Sequence, residues 1–200
     1  MDLEGRIAGL LAAADLRGAA TLSIEGYGPE VLGFLVTLFG NESDASEAFG
    51  QASEDLWAGL GRFQGRCSLR TWFYTLARNA AARLQRSPER RAARRKVSLG
   101  FVADVAERVR SQTLPHLRTD IKDRVASIRD ALPEEDRALL VLRVDREMSW
   151  SDVARIHAGD DASEEELARV AARLRKRFQS IKEEIRRRAK QSGLLPDDEP

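Results

Sequence analysis

Residues 63–79 have the sequence FQGRCSLRTWFYTLARN, a short polar loop that leads directly into a helical pattern. Apolar side chains recur at positions 69, 72, 73, 76, 80 and 84, which is the spacing of one buried face of an α-helix. Ser68 stands where a helix N-cap is favoured, and Pro88 ends the pattern. We therefore expect an amphipathic helix that follows a glycine-containing loop.

Two further apolar stripes precede this segment. The first covers residues 31–39, opened by Pro29 and closed by Gly40, and the second covers residues 45–60, with Ser43 as a candidate cap and Gly61 as a stop. Three amphipathic helices that bury these faces together predict a small bundle.

The C-terminal half contains a second set of helical patterns. A stripe at positions 121, 125, 128 and 132 is followed by Pro133 at a first-turn position and by the acids at 134–136, which suit a helix N-terminus. Capping-box patterns at 149–152 and 163–166 flank a break at Gly159. A short helix, a turn and a long basic helix predict a helix-turn-helix.

The pattern predicts an all-α protein with two small helical domains joined by a linker. The expected ranges are an N-terminal extension (1–22), a first helical domain (23–87), a basic linker with some helix (88–118), the helix-turn-helix domain (119–190) and a tail (191–200). The linker opens with the basic run RRAARRK and then has only a weak helical pattern.

Composition argues against several classes of protein. Cys67 is the single cysteine, so an internal disulfide is excluded, and the two histidines, His116 and His157, lie apart from any ligand cluster. No catalytic motif, phosphate loop or metal-ligand spacing is present, so we expect neither an enzyme nor a cofactor. The N-terminus lacks the apolar run of a signal peptide or membrane span, so we expect a cytoplasmic protein with no membrane partner.

Charge is strongly segregated, although the net charge is only +1. Residues 25–61 hold seven acids and no Lys or Arg. Residues 70–96 hold nine bases against one acid, and residues 169–190 hold ten bases against two. One such block alone is compatible with a solvated helix face, but together they predict one acidic docking surface and two basic surfaces.

Three segments in this order resemble the extracytoplasmic-function (ECF) branch of the sigma-70 family. They are DASEAFGQASEDLWAGLGRF at 44–63, FQGRCSLRTWFYTLARN at 63–79 and LPEEDRALLVLRVDREMSWSDVARI at 132–156. The resemblance covers residues 27–188. It implies a sigma factor that binds core RNA polymerase and recognises the −10 and −35 promoter elements, with double-stranded DNA at −35 and single-stranded DNA at −10. It also suggests a separate anti-sigma protein as a partner.

The resemblance places the −10 site in the first domain. Phe63, the loop that follows it and Asn79 would form the pocket for a flipped base, because a ring supplies an apolar wall and an amide both donates and accepts hydrogen bonds. The expected −10 contacts are Phe63, Gln64, Arg66, Arg70, Arg78, Asn79 and Arg83. For Trp72 and Phe73 we favour core packing over contact with the melting fork, and we expect Cys67 to be a small loop residue.

The same resemblance places polymerase docking on the acidic second helix. The candidates are Asp44, Glu47, Gln51, Glu54 and Asp55. The sequence departs from the family here, since a Gln is common where Gly50 stands and an acid where Gln51 stands.

The −35 site is expected on the outer face of the last helix, which begins near Ser163. The candidates are Arg169, Arg173, Lys176 and Arg177. The preceding turn, HAGDDAS, is longer than in the family, and residues 164–166 are three glutamates that either cap the helix or accept hydrogen bonds from cytosine amino groups. We favour caps.

A different class of function stays open on these residues. A two-domain helix-turn-helix regulator that does not join polymerase would also have basic helices, although it would need neither the 63–72 loop motif nor an acidic docking helix.

Overall fold

The computed structural model of the chain describes residues 2–86, 100–117, 129 and 131–191. Its described elements are helical, which confirms the all-α prediction. None of the helices in these ranges combines the length and hydropathy that crossing a bilayer requires.

Two helices begin before residue 29, where the sequence pattern predicted none. Helix α1 covers Leu3–Ala12, and helix α2 covers Leu16–Phe39, with Asp15 as its N-cap. The expectation that Pro29 opens a helix is wrong, because Pro29 lies inside α2. The Pro29 nitrogen cannot donate a hydrogen bond to the carbonyl of Glu25. Because Glu25 is an exposed residue, the helix tolerates the missing hydrogen bond. Gly40 ends α2 as expected, with a φ of 67°.

Helix α3 covers Glu42–Gly59, a short 3-10 turn covers Leu60–Arg62, and helix α4 covers Leu69–Arg86. The N-cap of α3 is Asn41 rather than Ser43, since the Asn41 side chain accepts from the Asp44 N–H at 2.8 Å. The prediction for α4 is confirmed, because the Ser68 hydroxyl accepts from the Thr71 N–H at 3.0 Å.

Helices α2, α3 and α4 share one aromatic core. Phe34 of α2 meets Tyr74 of α4 edge to face with centroids 5.4 Å apart, and Phe49 of α3 lies 6.1 Å from Phe73 of α4. All four side chains are fully buried. This core fixes the orientation of α4, and the direction in which the opposite face of α4 points is therefore fixed as well.

The segment predicted as a linker with some helix contains a regular helix, α5, over Gly100–Leu117. Val102, Val105, Ala106 and Val109 are buried against α2 and α3. Their spacing of i, i+3, i+4 and i+7 is a complete apolar stripe, which the prediction underestimated because the stripe is short and its residues are small.

The C-terminal half forms three described helices. Helix α6 covers Glu134–Leu140 and continues as a π-helical turn over Val141–Asp145, helix α7 covers Trp150–Ala158, and helix α8 covers Glu164–Gln191. The serine N-cap of each predicted capping box is confirmed, with Asp152 N–H donating to Ser149 Oγ at 3.1 Å and Glu166 N–H to Ser163 Oγ at 3.2 Å. Pro133 is the N-cap of α6 rather than a first-turn residue. The stripe predicted at 121, 125 and 128 lies outside the described residues.

The two halves of the chain pack against each other. Helix α7 lies on α4, and α6 contacts α2. The face of α4 that points away from its own core therefore meets the C-terminal half.

Candidate nucleic-acid interface

The loop before α4 forms one side of a cavity of about 450 Å³. The Phe63 ring is half-buried and lies against the Trp72 ring with centroids 4.9 Å apart. Gly59 makes this arrangement possible, because a Cβ at that position would lie 2.9 Å from the Trp72 ring. The loop turns at Gly65, whose φ of 65° favours glycine. The result is an aromatic wall with a polar rim.

Three of the residues expected at −10 line this cavity: Phe63, Gln64 and Arg66. Asn79 is exposed on α4 and does not line it. Asn79 lies ten residues after the start of α4 at Leu69, which is roughly 15 Å along the helix axis. The structure therefore does not bring Asn79 together with Phe63 in one pocket. The prediction that Trp72 and Phe73 are core residues is confirmed, since they are 7% and 0% exposed.

Two of the expected phosphate contacts are paired with acids of their own domain. Arg70 forms a two-point ion pair with Glu30 of α2, at 2.6 and 2.8 Å. Arg83 pairs with Asp55 of α3. These pairs hold α4 against the rest of the bundle.

The other two arginines face acids from the C-terminal half. Arg78 pairs with Glu135 of α6 at 2.9 Å, and Arg66 lies 3.8 Å from Asp161, in the turn before α8. Asp160 and Asp161 complete the lining of the cavity. Burial raises the pKa of Asp160, while a hydrogen bond from Trp72 acts in the opposite direction.

Two further groups show how closely α4 and the C-terminal half are packed. Thr71 of α4 donates to Asp152 of α7 at 3.1 Å. The His157 Nε2 is buried without a hydrogen-bond partner, and burial together with the charges of Arg78 and Arg173 lowers the pKa of His157 to about 3. His157 is therefore neutral at pH 7.

Cys67 is a half-buried residue of the cavity, and burial raises the pKa of its thiol to about 11. Such a thiol is almost entirely protonated at neutral pH and reacts slowly. This agrees with the expectation of a loop residue.

The structure adds one residue that the sequence gave no reason to select. The Glu4 carboxylate of α1 accepts from the N–H groups of Leu69 at 3.1 Å and Arg70 at 2.9 Å, and from the Tyr27 hydroxyl at 2.9 Å. It caps α4 from 65 residues away in the chain. A cap of this kind leaves no local pattern, since sequence rules find caps only next to the helix they close.

The five residues expected to dock on polymerase all lie on α3 and are half-buried: Asp44, Glu47, Gln51, Glu54 and Asp55. Gln51 donates to Asp55 at 3.0 Å, which joins two of them. Burial and the neighbouring Asp55 raise the pKa of Glu54. The surface carries a dense negative charge.

The position of Gly50 is partly filled by α5. The Arg110 guanidinium donates to the Ser46 carbonyl at 3.2 Å and would lie 3.5 Å from a Cβ at position 50. Arg110, in the middle of α5, therefore borders the acidic surface of α3.

The outer face of α8 is open. Arg169, Arg173 and Lys176 are exposed, and none of them forms a salt bridge within the described part of the chain. Arg177 differs, because it forms a two-point ion pair with the buried Asp136 of α6 at 2.7 and 2.6 Å. That pair joins α8 to α6.

The three glutamates at the start of α8 are exposed first-turn residues. The Ser163 hydroxyl is the group that accepts from the helix N–H, and Glu164 lies 3.7 Å from Arg155 of α7. Their charges favour the N-terminus of the helix through its dipole. Within the ranges that the structure describes, no group of acids, histidines and cysteine is arranged to hold a metal ion.

Comparison with models of known protein families gives a match to part of the chain. Residues 24–92 fit the family model of sigma-70 region 2. No curated protein and no solved structure gave a significant match. The matched residues include α3, the cavity loop and α4, which are the segments that the site geometry selected independently. Region 2 supports binding to core RNA polymerase and promoter DNA. The match shows a sigma-70 region 2 domain over residues 24–92, which supports a sigma factor of the sigma-70 family with a part in promoter recognition and transcription initiation.

Proposed function

We propose that the protein is a sigma factor of the ECF type that carries both promoter-reading surfaces on its two helical halves. In this proposal, α3 docks on core polymerase, the cavity loop and α4 hold the opened −10 strand, and α8 reads the −35 duplex. The resemblance of three segments to the ECF branch supports the subtype, and it also suggests cytoplasmic action under the control of an anti-sigma protein.

The observation that carries the −10 assignment is the cavity at the start of α4. It has an aromatic wall of Phe63 and Trp72, a polar loop and a basic rim at Arg66. A base extruded from the duplex needs a stacking surface and hydrogen-bonding groups, and its phosphates need cations. A volume of about 450 Å³ is large enough for a nucleobase and its surrounding water.

The polymerase assignment is supported by the charge of α3. The candidate acids lie on one helix, none of them is fully buried, and the surrounding block of 37 residues at 25–61 has no Lys or Arg. An acidic surface of this kind favours a basic partner and accelerates its association.

The −35 assignment is supported by the open basic face of α8. Helix α8 has 28 residues and is roughly 42 Å long, which is more than one groove crossing requires. Only its first half should lie against DNA, and that half contains Arg169, Arg173 and Lys176.

The experiment is co-elution of the protein with purified core polymerase by size-exclusion chromatography at micromolar concentration. We expect a complex with the wild-type chain and a weaker one with Asp44→Lys/Glu47→Lys, with the loss greater at low salt because screening is smaller. Glu165→Lys/Glu183→Lys is the matched control, since it makes the same charge change at exposed positions of α8.

Failure of the wild-type protein to co-elute would overturn the sigma-factor proposal and favour a regulator that does not join polymerase. An equal loss in both double variants would show that α3 is not the docking surface.

A further inference from the structure

The first turn of α4 is held at three successive N–H groups. The Glu4 carboxylate of α1 accepts from Leu69 at 3.1 Å and from Arg70 at 2.9 Å. The Ser68 hydroxyl accepts from the third, the Thr71 N–H, at 3.0 Å. N–H groups of a first turn have no partner within their own helix, and a charged acceptor binds them more strongly than a neutral one. The start of α4 therefore depends largely on a residue 65 positions earlier in the chain.

The cavity loop, residues 64–68, is fixed at both of its ends. At its beginning, the Phe63 N–H donates to the Leu60 carbonyl at 3.1 Å. At its end, the chain enters α4 at Leu69, whose N–H donates to Glu4. The loop between these two points contributes to the lining of the cavity. A shift of Leu69 would therefore move the polar side of the cavity relative to the Phe63 ring.

The position of Glu4 is itself set by α1 and α2. The Tyr27 hydroxyl donates to Glu4 at 2.9 Å, and burial together with the Glu4 carboxylate raises the pKa of Tyr27, so the hydroxyl keeps its proton. Leu3 packs on α2 at Gly26, where a Cβ would overlap the Leu3 side chain. Ile7, one turn further along α1, is 1% exposed. Helix α1 is therefore docked in a way that places its carboxylate at α4.

Glu4 differs in kind from the other acids that hold α4. Glu30 and Asp55 pair with arginine side chains, which can swing without moving the helix backbone. Glu4 accepts from backbone N–H groups, whose positions define the path of the chain from the loop into the helix. A displacement of Glu4 therefore changes the backbone at the cavity.

A pocket discriminates between bases best when its groups are held in place before the base enters. A loop that samples several positions binds the preferred base less tightly and loses less when that base is changed. Discrimination should therefore fall when the bonds to Glu4 are removed, even though the chain stays folded.

We propose that Glu4 is a positioning residue of the −10 site: through the first turn of α4, helix α1 sets the loop 64–68 against the wall of Phe63 and Trp72, and with it the preference for the −10 base. This inference rests on the proposed −10 role of the cavity. Helix α1, expected from the sequence to be an extension outside the first domain, then has a part in base selection.

The test uses the full chain with three substitutions around this carboxylate. Glu4→Ala removes all three hydrogen bonds. Glu4→Gln keeps one acceptor oxygen, which can still accept from Arg70 and Tyr27, and loses the bond to Leu69. Tyr27→Phe removes only the hydroxyl that orients Glu4, so it guards against a folding defect in Glu4→Ala.

The matched control is Asp15→Ala. Asp15 is the N-cap of α2 and accepts from the Gly18 N–H at 2.8 Å. Its replacement removes a carboxylate cap from the same half of the chain and leaves the bonds between Glu4 and α4 in place.

The first readout is promoter discrimination by the holoenzyme formed with purified core polymerase. It is the ratio of dissociation constants for a promoter fragment found by run-off transcription and for the same fragment with one −10 base substituted. The same ratio for a −35 substitution is measured alongside. A loss of folded protein alone changes neither ratio, because the active fraction cancels.

The second readout is the rate at which N-ethylmaleimide alkylates Cys67 in the free chain. Cys67 is the chain's single cysteine, lines the cavity and lies two residues before Leu69. Burial raises the pKa of this thiol to about 11. A looser loop exposes the thiol and returns its pKa towards the ordinary value, so alkylation is faster.

We expect Glu4→Ala to reduce the −10 ratio about three- to tenfold and to change the −35 ratio by less than about twofold. Cys67 alkylation should rise about threefold or more in the same variant. Glu4→Gln and Tyr27→Phe should lie between the wild type and Glu4→Ala in both readouts. Asp15→Ala should stay within about twofold of the wild type in both.

The other outcomes contradict the inference in distinguishable ways. If neither readout changes, Glu4 does not position the loop, while the −10 assignment stands on the ratio of the wild type. If alkylation rises and the −10 ratio does not fall, Glu4 holds the loop but the loop does not select the base, which overturns the −10 assignment of the loop as well.

A fall in the −10 ratio with unchanged alkylation would show that Glu4 does not act through the loop. Equal falls in the −10 and −35 ratios, or equal effects of Glu4→Ala and Asp15→Ala, would assign the change to a general defect and overturn the positioning role. A wild-type holoenzyme without −10 discrimination would overturn the inference together with the proposed function.

Discussion

Helices α4 and α8 are both basic, yet the arginines of α4 and the basic residues on the outer face of the first half of α8 are in opposite electrostatic states. On α4, Arg70 and Arg78 pair with acids of other elements, Glu30 and Glu135. On α8, Arg169, Arg173 and Lys176 are exposed and form no salt bridge among the described residues. The same residue type at helical spacing thus produces one occupied surface and one open surface.

The difference shows what a count of charges along a sequence can establish. Local composition predicts that a helix is basic, but the partners that neutralise it lie 40 residues away for Glu30 and 57 residues away for Glu135. An open basic helix is ready to bind duplex DNA, whereas an occupied one has to exchange its carboxylates for phosphates first. We therefore expect the two surfaces to act in sequence, with the α8 surface available before that of α4.

The largest expected effect concerns how firmly each helix is anchored. Trp72 anchors α4 in the core, while Trp150 is half-buried and contacts α8 through the Phe178 ring, 5.6 Å away. Trp72→Ala should reduce the free energy of unfolding by about 3–5 kcal/mol, as a large buried ring leaves a cavity. Trp150→Ala should cost less, and urea unfolding of both variants measures the difference. Equal losses would mean that the two helices are anchored equally.

The next effect concerns the N-terminal caps. Glu4→Ala removes two charge-assisted hydrogen bonds from the start of α4 and should cost about 1.5–3 kcal/mol. Ser163→Ala removes one neutral cap from α8 and should cost about 1 kcal/mol. Thermal and urea unfolding test this order, with Glu4→Gln expected between the two. A larger loss for Ser163→Ala would reverse the comparison.

These caps also show where prediction from sequence succeeds and where it stops. Ser68, Ser149 and Ser163 were predicted as caps because each precedes its own helix, and all three are confirmed. Glu4 was missed because it reaches α4 through the tertiary fold. Pro29 was misplaced because the residues before it, 16–28, have no clear apolar period, although several of them are buried on α2.

The candidate site was also predictable from the sequence only in part. The aromatic wall at Phe63 followed from a local motif, and the structure places that residue at the cavity. The acids that pair with Arg66 and Arg78 come from the turn before α8 and from α6, and only packing brings them to the loop and to α4. The distance between Asn79 and the cavity could not be predicted either, because a sequence motif does not state how far apart its members lie in space.

The third prediction separates recognition by the two helices. Asn79→Ala should lower discrimination at one −10 base by about 1–3 kcal/mol and leave core binding unchanged. Gln85→Ala is the matched control, an exposed amide later on the same helix. Promoter binding by the holoenzyme to a set of −10 variants measures both. An unchanged −10 preference in Asn79→Ala would remove this residue from the base contacts.

On α8, two substitutions should affect promoter binding in different ways. Arg169→Ala should relax the −35 preference at one position, at a cost of about 1–3 kcal/mol on the preferred sequence. Lys176→Ala should weaken all promoters alike and reduce the salt slope of log affinity by about one unit. If both variants weaken binding uniformly, the division into a base contact and a phosphate contact is wrong.

The last prediction is a pH dependence at the residue between the two helices. His157 is buried near Arg78 of α4 and Arg173 of α8, and its pKa is lowered to about 3 against about 6.5 in an unfolded chain. The unfolded state therefore binds more protons between these values. The contribution of neutral His157 to the free energy of unfolding should be fully present above pH 6.5. It should be lost as the pH falls from about 6.5 towards 3, by at most about 1.4 kcal/mol per pH unit.

Urea unfolding at pH 7.5, 6.5 and 5.5 measures this slope, with His157→Gln as the control that should flatten it. An equal slope in wild type and variant would assign the effect to other groups.

Run-off transcription with purified core polymerase tests whether this chain directs promoter-specific initiation. Templates are fragments from the genome that encodes the protein, and the 5′ ends of the transcripts are mapped. We expect discrete transcripts that require the protein and share −10 and −35 elements upstream. Transcripts that are the same with and without the protein would contradict it.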